Sequence, residues 1–164
     1  MFTEKQLAVV RFCAEECERQ DSGPTSVSWM VNAYNYAAET LAPIVASGGL
    51  IELSHIVVLV TMIEPVVNAR GFRITPVRFA DGTVLTNHQQ IPSQLESLLV
   101  VQHSATPAEF YQAYEGIHPC EDGNGRAGAI LFNLLSGSLD NPSVPPPFQR
   151  GRPSYQSAFG EVER

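Results

Sequence analysis

Apolar residues recur every three or four positions over most of the chain, a spacing that predicts amphipathic helices. Such patterns cover residues 3–20, 25–46, 50–68, 91–103, 106–117 and 126–136. The third of them, residues 50–68, is apolar on most sides and is therefore expected to be the central buried helix. Together these patterns predict a mostly α fold.

Between the third and fourth helical patterns the residues change to types that favour β-strands. Residues 72–79 and 83–86 are rich in β-branched and aromatic side chains, and Asp81-Gly82 lies between them. An Asp-Gly pair between two such runs is a strong signal for a β-hairpin. Pro76 has no N–H to donate, so we expect the hairpin to leave at least one edge open to solvent.

The last part of the chain is richer in proline, over residues 139–150, which predicts an extended surface connection. A short final helix is predicted at about residues 153–163. With 164 residues, of which 44% are hydrophobic, the chain is long enough for one domain with a substantial core. We therefore expect a single domain, 1–164, with its core at about residues 25–136.

Charge and cysteine content limit the partners and the compartment. The net charge of −7 argues against nucleic acid as the main partner, because that requires a basic surface. The N-terminus lacks a signal-peptide profile, and residues 56–60, the longest strictly aliphatic stretch, are far shorter than the roughly 20 residues of a membrane span. Three cysteines do not form a disulfide framework. We expect a cytoplasmic protein without a membrane partner; delivery by a secretion system to another cell is not visible in the sequence.

Residues with reactive side chains concentrate in residues 118–126, which read HPCEDGNGR directly before the last apolar helix. Two glycines on either side of Asn124 allow the backbone to turn its N–H groups inward. These amides and the positive end of the following helix both favour phosphate.

Three ionisable side chains in the same stretch suit phosphate chemistry. His118 can exchange protons near neutral pH. Asp122 offers hard oxygen ligands for Mg²⁺, and Arg126 is a planar donor for phosphate oxygens. The stretch therefore predicts a phosphoryl- or nucleotidyl-transfer site.

These residues resemble the signature of the Fic family, H-P-F-x-(D/E)-G-N-G-R-x-x-R, with Cys120 in place of the Phe and Ala129 in place of the final Arg. The resemblance implies a Fic-like helical bundle with a β-hairpin flap beside the active-site loop. It also implies a protein nucleotidyltransferase of the AMPylation type. Such an enzyme moves a nucleoside monophosphate from ATP or a related nucleotide to a Ser, Thr or Tyr hydroxyl, with Mg²⁺.

The resemblance assigns a role to each matching residue. His118 would remove the proton of the attacking hydroxyl, and Asp122 would hold Mg²⁺ between two phosphates. The residues that it implies for phosphate binding are Gly123, Asn124, Gly125 and Arg126.

The hairpin corresponds, by the same resemblance, to a flap that holds the target by strand addition. The flap residues implied are Ile74, Thr75, Val77, Val84 and Leu85. The expected partners are a nucleotide and a target protein whose hydroxyl side chain docks on the flap. The toxin-like character of the family implies a further candidate partner, a separate inhibitor of the antitoxin type.

The departures from the signature leave several functions open. The family's final Arg grips the terminal phosphate, which Ala129 cannot do. A donor with a pyrophosphate but no terminal phosphate would not need that Arg, and the Doc-type kinases also lack it, although they carry a Lys where Gly125 stands here. A nucleotide-binding or interaction module with weak or no turnover is a further alternative.

Three smaller questions follow from the same residues. Because Ala129 lies about one turn into its helix, we expect it on a face that looks back toward the loop, where an Arg would restore a phosphate contact. Cys120 removes the aromatic packing anchor that the signature has at this position, and its thiol near bound Mg²⁺ is a candidate for oxidation. Glu64, next to Pro65, is either exposed at a helix end or paired.

Overall fold

The computed structural model describes residues 1–82 and 85–149, which are mostly helical, as predicted. Thr83, Val84 and the predicted final helix at 153–163 lie outside the described residues. The helices are α1 (Glu4–Arg19), α2 (Pro24–Tyr36), α3 (Ala42–Ala46), α4 (Leu53–Ile63), α5 (Ile91–Val100), α6 (Pro107–Ile117) and α7 (Asn124–Ser136). A π-helical turn, Ala37–Leu41, joins α2 to α3, and a 3-10 turn, His88–Gln90, precedes α5.

Even the longest of these helices, α1, has only 16 residues. None of the helices within residues 1–82 and 85–149 combines the length and the apolar character that a membrane crossing requires.

Two helices begin with the capping boxes that their sequences predict. At α1, the Thr3 hydroxyl accepts a hydrogen bond from the Gln6 N–H at 3.2 Å, and the Gln6 side chain accepts from the Thr3 N–H at 2.8 Å. Thr106 and Glu109 make the same reciprocal pair at α6. Each box satisfies two N–H groups that the first turn of a helix leaves without partners.

The second helical pattern forms a continuous helical stretch from residue 24 to residue 46, but its start differs from the prediction. Gly23 is the N-cap and Pro24 the first helical residue, whereas Thr25 or Ser26 was the expected cap. The π-helical turn lies directly before Pro43, and there the Ala42 N–H bonds to the Ala37 carbonyl. Proline has no N–H for the normal bond one turn back, so the wider turn accommodates it.

The third helical pattern is shorter and less buried than predicted. The sequence predicted a central helix over residues 50–68, whereas α4 ends at Ile63. Glu64 leaves the helix because the next residue, Pro65, disfavours helical geometry at the residue before it. One face of α4 meets solvent, since Val58 is 40% exposed.

The helix with most of its residues buried is instead α7, which packs closely against α6. Gly128 makes this approach feasible: a Cβ atom there would lie only 2.9 Å from the Tyr111 ring and 2.8 Å from Glu115 Oε1. The buried residues of α7 are Asn124, Arg126, Ala127, Gly128, Ala129, Ile130, Leu131, Asn133 and Leu134. The loop before α7 is therefore attached to the most deeply packed helix among the described residues.

The predicted hairpin is only partly visible. The described part of residues 72–86 contains no regular strand, although the Leu85 N–H donates to the Val77 carbonyl at 3.2 Å. Pro76 cannot donate to a ladder, and the Arg73 N–H bonds instead to the Pro119 carbonyl at 2.8 Å. The β-hairpin stays a prediction.

The proline-rich connection is non-helical as far as residue 149, and two side-chain amides hold it against the helical hairpin of α6 and α7. Asn133 of α7 bonds to both the carbonyl and the N–H of Ser143, each at 2.9 Å. Gln112 of α6 accepts from the Gln149 N–H at 2.8 Å and donates to the Pro147 carbonyl at 2.9 Å. Each side-chain amide thus makes hydrogen bonds that the backbone of an adjacent β-strand would otherwise make.

The buried carboxyl of Glu115 yields a prediction about stability and pH. Glu115 on α6 is 7% exposed, its Oε1 has no hydrogen-bond partner among the described residues, and burial raises its pKa from 4.5 to about 7. The folded protein therefore binds a proton that the unfolded chain releases, so this group lowers the free energy of unfolding as pH rises from about 4.5 to 7. The full loss is about 3 kcal/mol at 1.4 kcal/mol per pKa unit.

Glu115→Gln should remove this slope and stabilise the protein at pH 8 more than at pH 5. Urea unfolding of the variant and its parent at both pH values measures the difference. The exposed Glu96 provides the control, because Glu96→Gln should leave the pH dependence unchanged. An equal effect of Glu115→Gln at pH 5 and pH 8 would contradict the prediction.

Candidate active site

The candidate loop begins where α6 ends, at His118. This residue is the C-cap of α6 and has left-handed backbone angles, φ 51° and ψ 63°, with its N–H donated to the Tyr114 carbonyl at 3.0 Å. A residue other than glycine rarely adopts this conformation, which costs about 1 kcal/mol or more. The left-handed turn ends the helix abruptly and fixes the direction in which the imidazole leaves the backbone.

The imidazole of His118 lies in a partly enclosed environment between Arg73 and Asp122. Its Nδ1 is buried without a hydrogen-bond partner among the described residues, and the ring of Phe79 packs edge-on with a centroid distance of 5.5 Å. Burial and, second, the nearby charge of Arg73 together lower the pKa of His118 from 6.5 to about 4, against opposing contributions from the Glu115 backbone and the charge of Asp122. His118 is therefore neutral at pH 7.

The loop is closed by the side chain of Asn124, the first residue of α7. Its Oδ1 accepts from the Cys120 N–H and its Nδ2 donates to the Cys120 carbonyl, both at 2.9 Å. Asn124 is 3% exposed. The side chain that the sequence assigned to phosphate thus braces the loop, and the backbone N–H of this residue is the group left for a ligand.

Both glycines of the loop lie in close contacts, and Gly123 also needs a left-handed backbone. Gly123 has φ 82°, and a Cβ atom there would lie 2.4 Å from Cγ2 of Ile63. A Cβ atom on Gly125 would lie 2.5 Å from Oε1 of Gln20, the residue that ends α1. The expected phosphate contact of Gly125 therefore shares its surroundings with the Gln20 side chain.

The guanidinium of Arg126 is buried between two carboxylates. Arg126 is 1% exposed, and its Nη1 lies 2.7 Å from Glu64 Oε1, in ion-pair contact but not aligned for a hydrogen bond. Its Nη2 lies 3.5 Å from Asp122 Oδ1. Glu64, which the sequence left either exposed or paired, is thus paired, and Ser26 donates to it at 3.4 Å. A phosphate that reaches Arg126 has to share it with Glu64 or displace Glu64.

Asp122 presents an accessible carboxylate, with its side chain 61% exposed. Its Oδ1 accepts from the Gly123 N–H at 2.7 Å, and Asn68 holds its backbone by donating to the Asp122 carbonyl at 2.8 Å. One carboxylate together with phosphate oxygens and water is the usual environment of Mg²⁺ in nucleotide sites. Among the described residues no group of three His, Cys, Asp or Glu side chains is arranged to hold a metal by itself.

The predicted flap residues occupy different environments. Ile74 is 66% exposed, and the Thr75 hydroxyl donates to Glu121 of the loop at 2.9 Å. Val77 accepts from Leu85, but the Leu85 side chain is only 8% exposed and faces the interior. Val84 lies outside the described residues. The structure thus places Ile74 and Thr75 where a partner could reach them, and it does not so place Leu85.

Cys120 is a packing residue. It is fully buried, in the position that the family signature gives to Phe, and burial raises its pKa to about 12. A thiol that stays protonated at pH 7 and is shielded from solvent is a poor nucleophile. The oxidation-sensitive alternative is therefore not supported.

Three residues that contact the loop were not predicted as site residues: Glu64, Asn68 and Arg73. Each is polar or charged, each is at most 6% exposed, and each lies between residues 64 and 73. The signal in the sequence was the placement of these polar side chains directly after an apolar helix. Their partners lie about 50 residues further along the chain, which no local pattern identifies.

No protein-family model matches this chain, and no curated protein matches it either.

Ala129, which was expected to look back toward the loop, lies inside the fold. It is fully buried, with 0% exposure, among the core residues of α7. Ala129→Arg should therefore bury an unpaired charge and cost several kcal/mol of stability, instead of adding a phosphate contact. Thermal unfolding measures the loss, and Ala14→Arg on the exposed face of α1 is the control. A stable Ala129→Arg variant with tighter ATP binding would show that the position faces the ligand after all.

Proposed function

We propose that this chain is a Fic-like, Mg²⁺-dependent protein nucleotidyltransferase that uses ATP or a related nucleotide. The observation that carries the proposal is the position of a neutral histidine at one end of the loop and of a helix N-terminus at the other. His118 ends α6, and six residues later α7 begins at Asn124. The proposal also rests on the resemblance of residues 118–126 to the Fic signature.

Each chemical requirement of the transfer has a candidate group in this loop. The N–H groups of the first turn of α7 have no carbonyl one turn back to bind, so they can donate to phosphate oxygens. The exposed carboxylate of Asp122 suits Mg²⁺, which would neutralise charge on the phosphates when bound. Neutral His118 would accept the proton of the target hydroxyl. The hydroxyl oxygen would at the same time bond to the α-phosphorus, and pyrophosphate would leave.

A second candidate function is a nucleotide-binding or interaction module with little turnover. It is favoured by the pairing of Arg126 with Glu64 and by the burial of Ala129 at the position of the family's final Arg. Under this alternative the loop binds a nucleotide, but no mobile cation stabilises the leaving phosphates. Donors without a terminal phosphate, and a Doc-like kinase reaction, remain outcomes of the same experiment.

Intact-mass measurement after incubation with Mg²⁺ and a panel of nucleotides tests the proposal, because the mass added identifies the group transferred.

His118→Ala should abolish transfer to the protein itself or to an added target, and should leave nucleotide affinity within a few-fold. Asp122→Ala should instead remove the Mg²⁺-dependent part of binding in calorimetry. The controls are His88→Ala and Asp140→Ala, since both residues lie outside the loop. Equal losses of affinity in the two loop variants would contradict this division of roles.

The pair between Arg126 and Glu64 generates a further prediction. Glu64→Gln keeps the shape of the side chain but removes the charge that competes with phosphate for Arg126. We expect Mg²⁺-free binding of ADP and ATP to tighten about tenfold, which corresponds to about 1.4 kcal/mol. Calorimetry with and without Mg²⁺ measures this change.

Glu96→Gln is the control, because Glu96 is an exposed glutamate of α5 outside the loop. Unchanged or weaker binding by Glu64→Gln would show that Arg126 serves the fold alone.

A further inference from the structure

We propose that Arg73 is a positioning residue that holds His118 in its left-handed conformation and couples it to the segment 74–86. The proposal rests on the proposed function only for the role of His118 as a base. The coupling itself is argued from the hydrogen bonds of one side chain.

The guanidinium of Arg73 binds the last carbonyls of α6. Its Nε donates to the His118 carbonyl at 2.6 Å, and its Nη2 lies 3.3 Å from the Ile117 carbonyl. These carbonyls have no N–H partner within the helix, and they carry the negative end of the helix dipole. A cation at this point stabilises the helix end and fixes the peptide that follows His118.

The same guanidinium also binds both ends of the segment expected to face the target. Nη1 donates to the Thr75 carbonyl at 2.7 Å, and Nη2 donates to the Thr86 carbonyl. The backbone N–H of Arg73 adds a bond to the Pro119 carbonyl, one residue beyond His118. One residue therefore connects the two ends of the segment with the two residues that begin the loop.

The environment of Arg73 distinguishes this role from ordinary charge pairing. Arg73 is 2% exposed, and among the described residues no carboxylate lies within ion-pair distance of it. A buried cation without an ion-pair partner is costly unless its donors are satisfied. The planar fork of an arginine spreads five N–H donors over three nitrogens, so it reaches carbonyls that lie farther apart than the three donors on the one ammonium nitrogen of a lysine can.

This arrangement has a consequence for His118. Its left-handed backbone is strained for a residue other than glycine, and such strain persists only where surrounding contacts hold it. The Arg73 bond to the His118 carbonyl is such a contact, and it depends on the same guanidinium that binds Thr75 and Thr86. Displacement of the segment would therefore release His118 from its position, and docking of a target on the segment would secure it.

Nuclear magnetic resonance of the full chain tests this coupling without nucleotide or target. In the unaltered protein, the Nε–H of Arg73 should exchange with solvent at least about tenfold more slowly than that of the exposed Arg78. In Arg73→Lys, the His118 Cα and Cβ shifts should move away from left-handed values. The N–H groups of His118 and Leu85 should lose protection together, by about tenfold or more.

Arg70→Lys, at an exposed arginine outside the segment, is the control and should change neither signal. Unaltered His118 shifts in Arg73→Lys, or loss of protection at Leu85 alone, would overturn the proposal, because Arg73 would then only anchor the segment. If Arg73→Lys does not fold, the exchange rate of the Arg73 Nε–H in the unaltered protein decides, and exchange as fast as that of Arg78 overturns the proposal. Absence of transfer activity alongside the expected signals would refute the proposed function and leave the coupling intact.

Discussion

The reciprocal bonds between the Asn124 side chain and the backbone of Cys120 are the constraint on which the candidate site depends. They close the loop between α6 and α7, and because Cys120 is buried, replacement of the amide would leave two buried backbone groups without partners. Because the loop is closed, His118 and the first turn of α7 are held near one another. Gly128 lets α6 pack closely on α7, so these two helices form a rigid support for the loop between them.

The two buried arginines around the loop have their partners within the chain itself. Arg126 is paired with Glu64 and approached by Asp122, while Arg73 is surrounded by carbonyl groups. The exposed groups of the loop, Asp122 and Glu121, are both acidic. A polyphosphate would meet net negative charge at the surface of the loop, which explains why the proposed activity needs Mg²⁺ and why Glu64 is expected to limit Mg²⁺-free binding.

Local patterns predicted the parts of this fold that local chemistry controls. The capping boxes at Thr3 and Thr106 have all their partners within four residues, and the loop motif at 118–126 is contiguous. Side-chain partners distant in sequence could not be predicted: Glu64 with Arg126, Asn68 with Asp122 and Arg73 with His118. Ala129 shows a different limit. The sequence places it in a helix, but its burial depends on neighbouring helices, which a local pattern does not describe.

The central claim is that residues 118–126 bind the phosphates of a nucleotide at the N-terminus of α7. The most direct test is a ¹⁵N chemical-shift titration of the unaltered protein with ATP and Mg²⁺. The account predicts that the largest shifts occur at the amides of Gly123, Asn124, Gly125 and Arg126, with smaller shifts at His118. Saturating nucleotide without shifts at these amides, or with its largest shifts on a surface away from the loop, would contradict it.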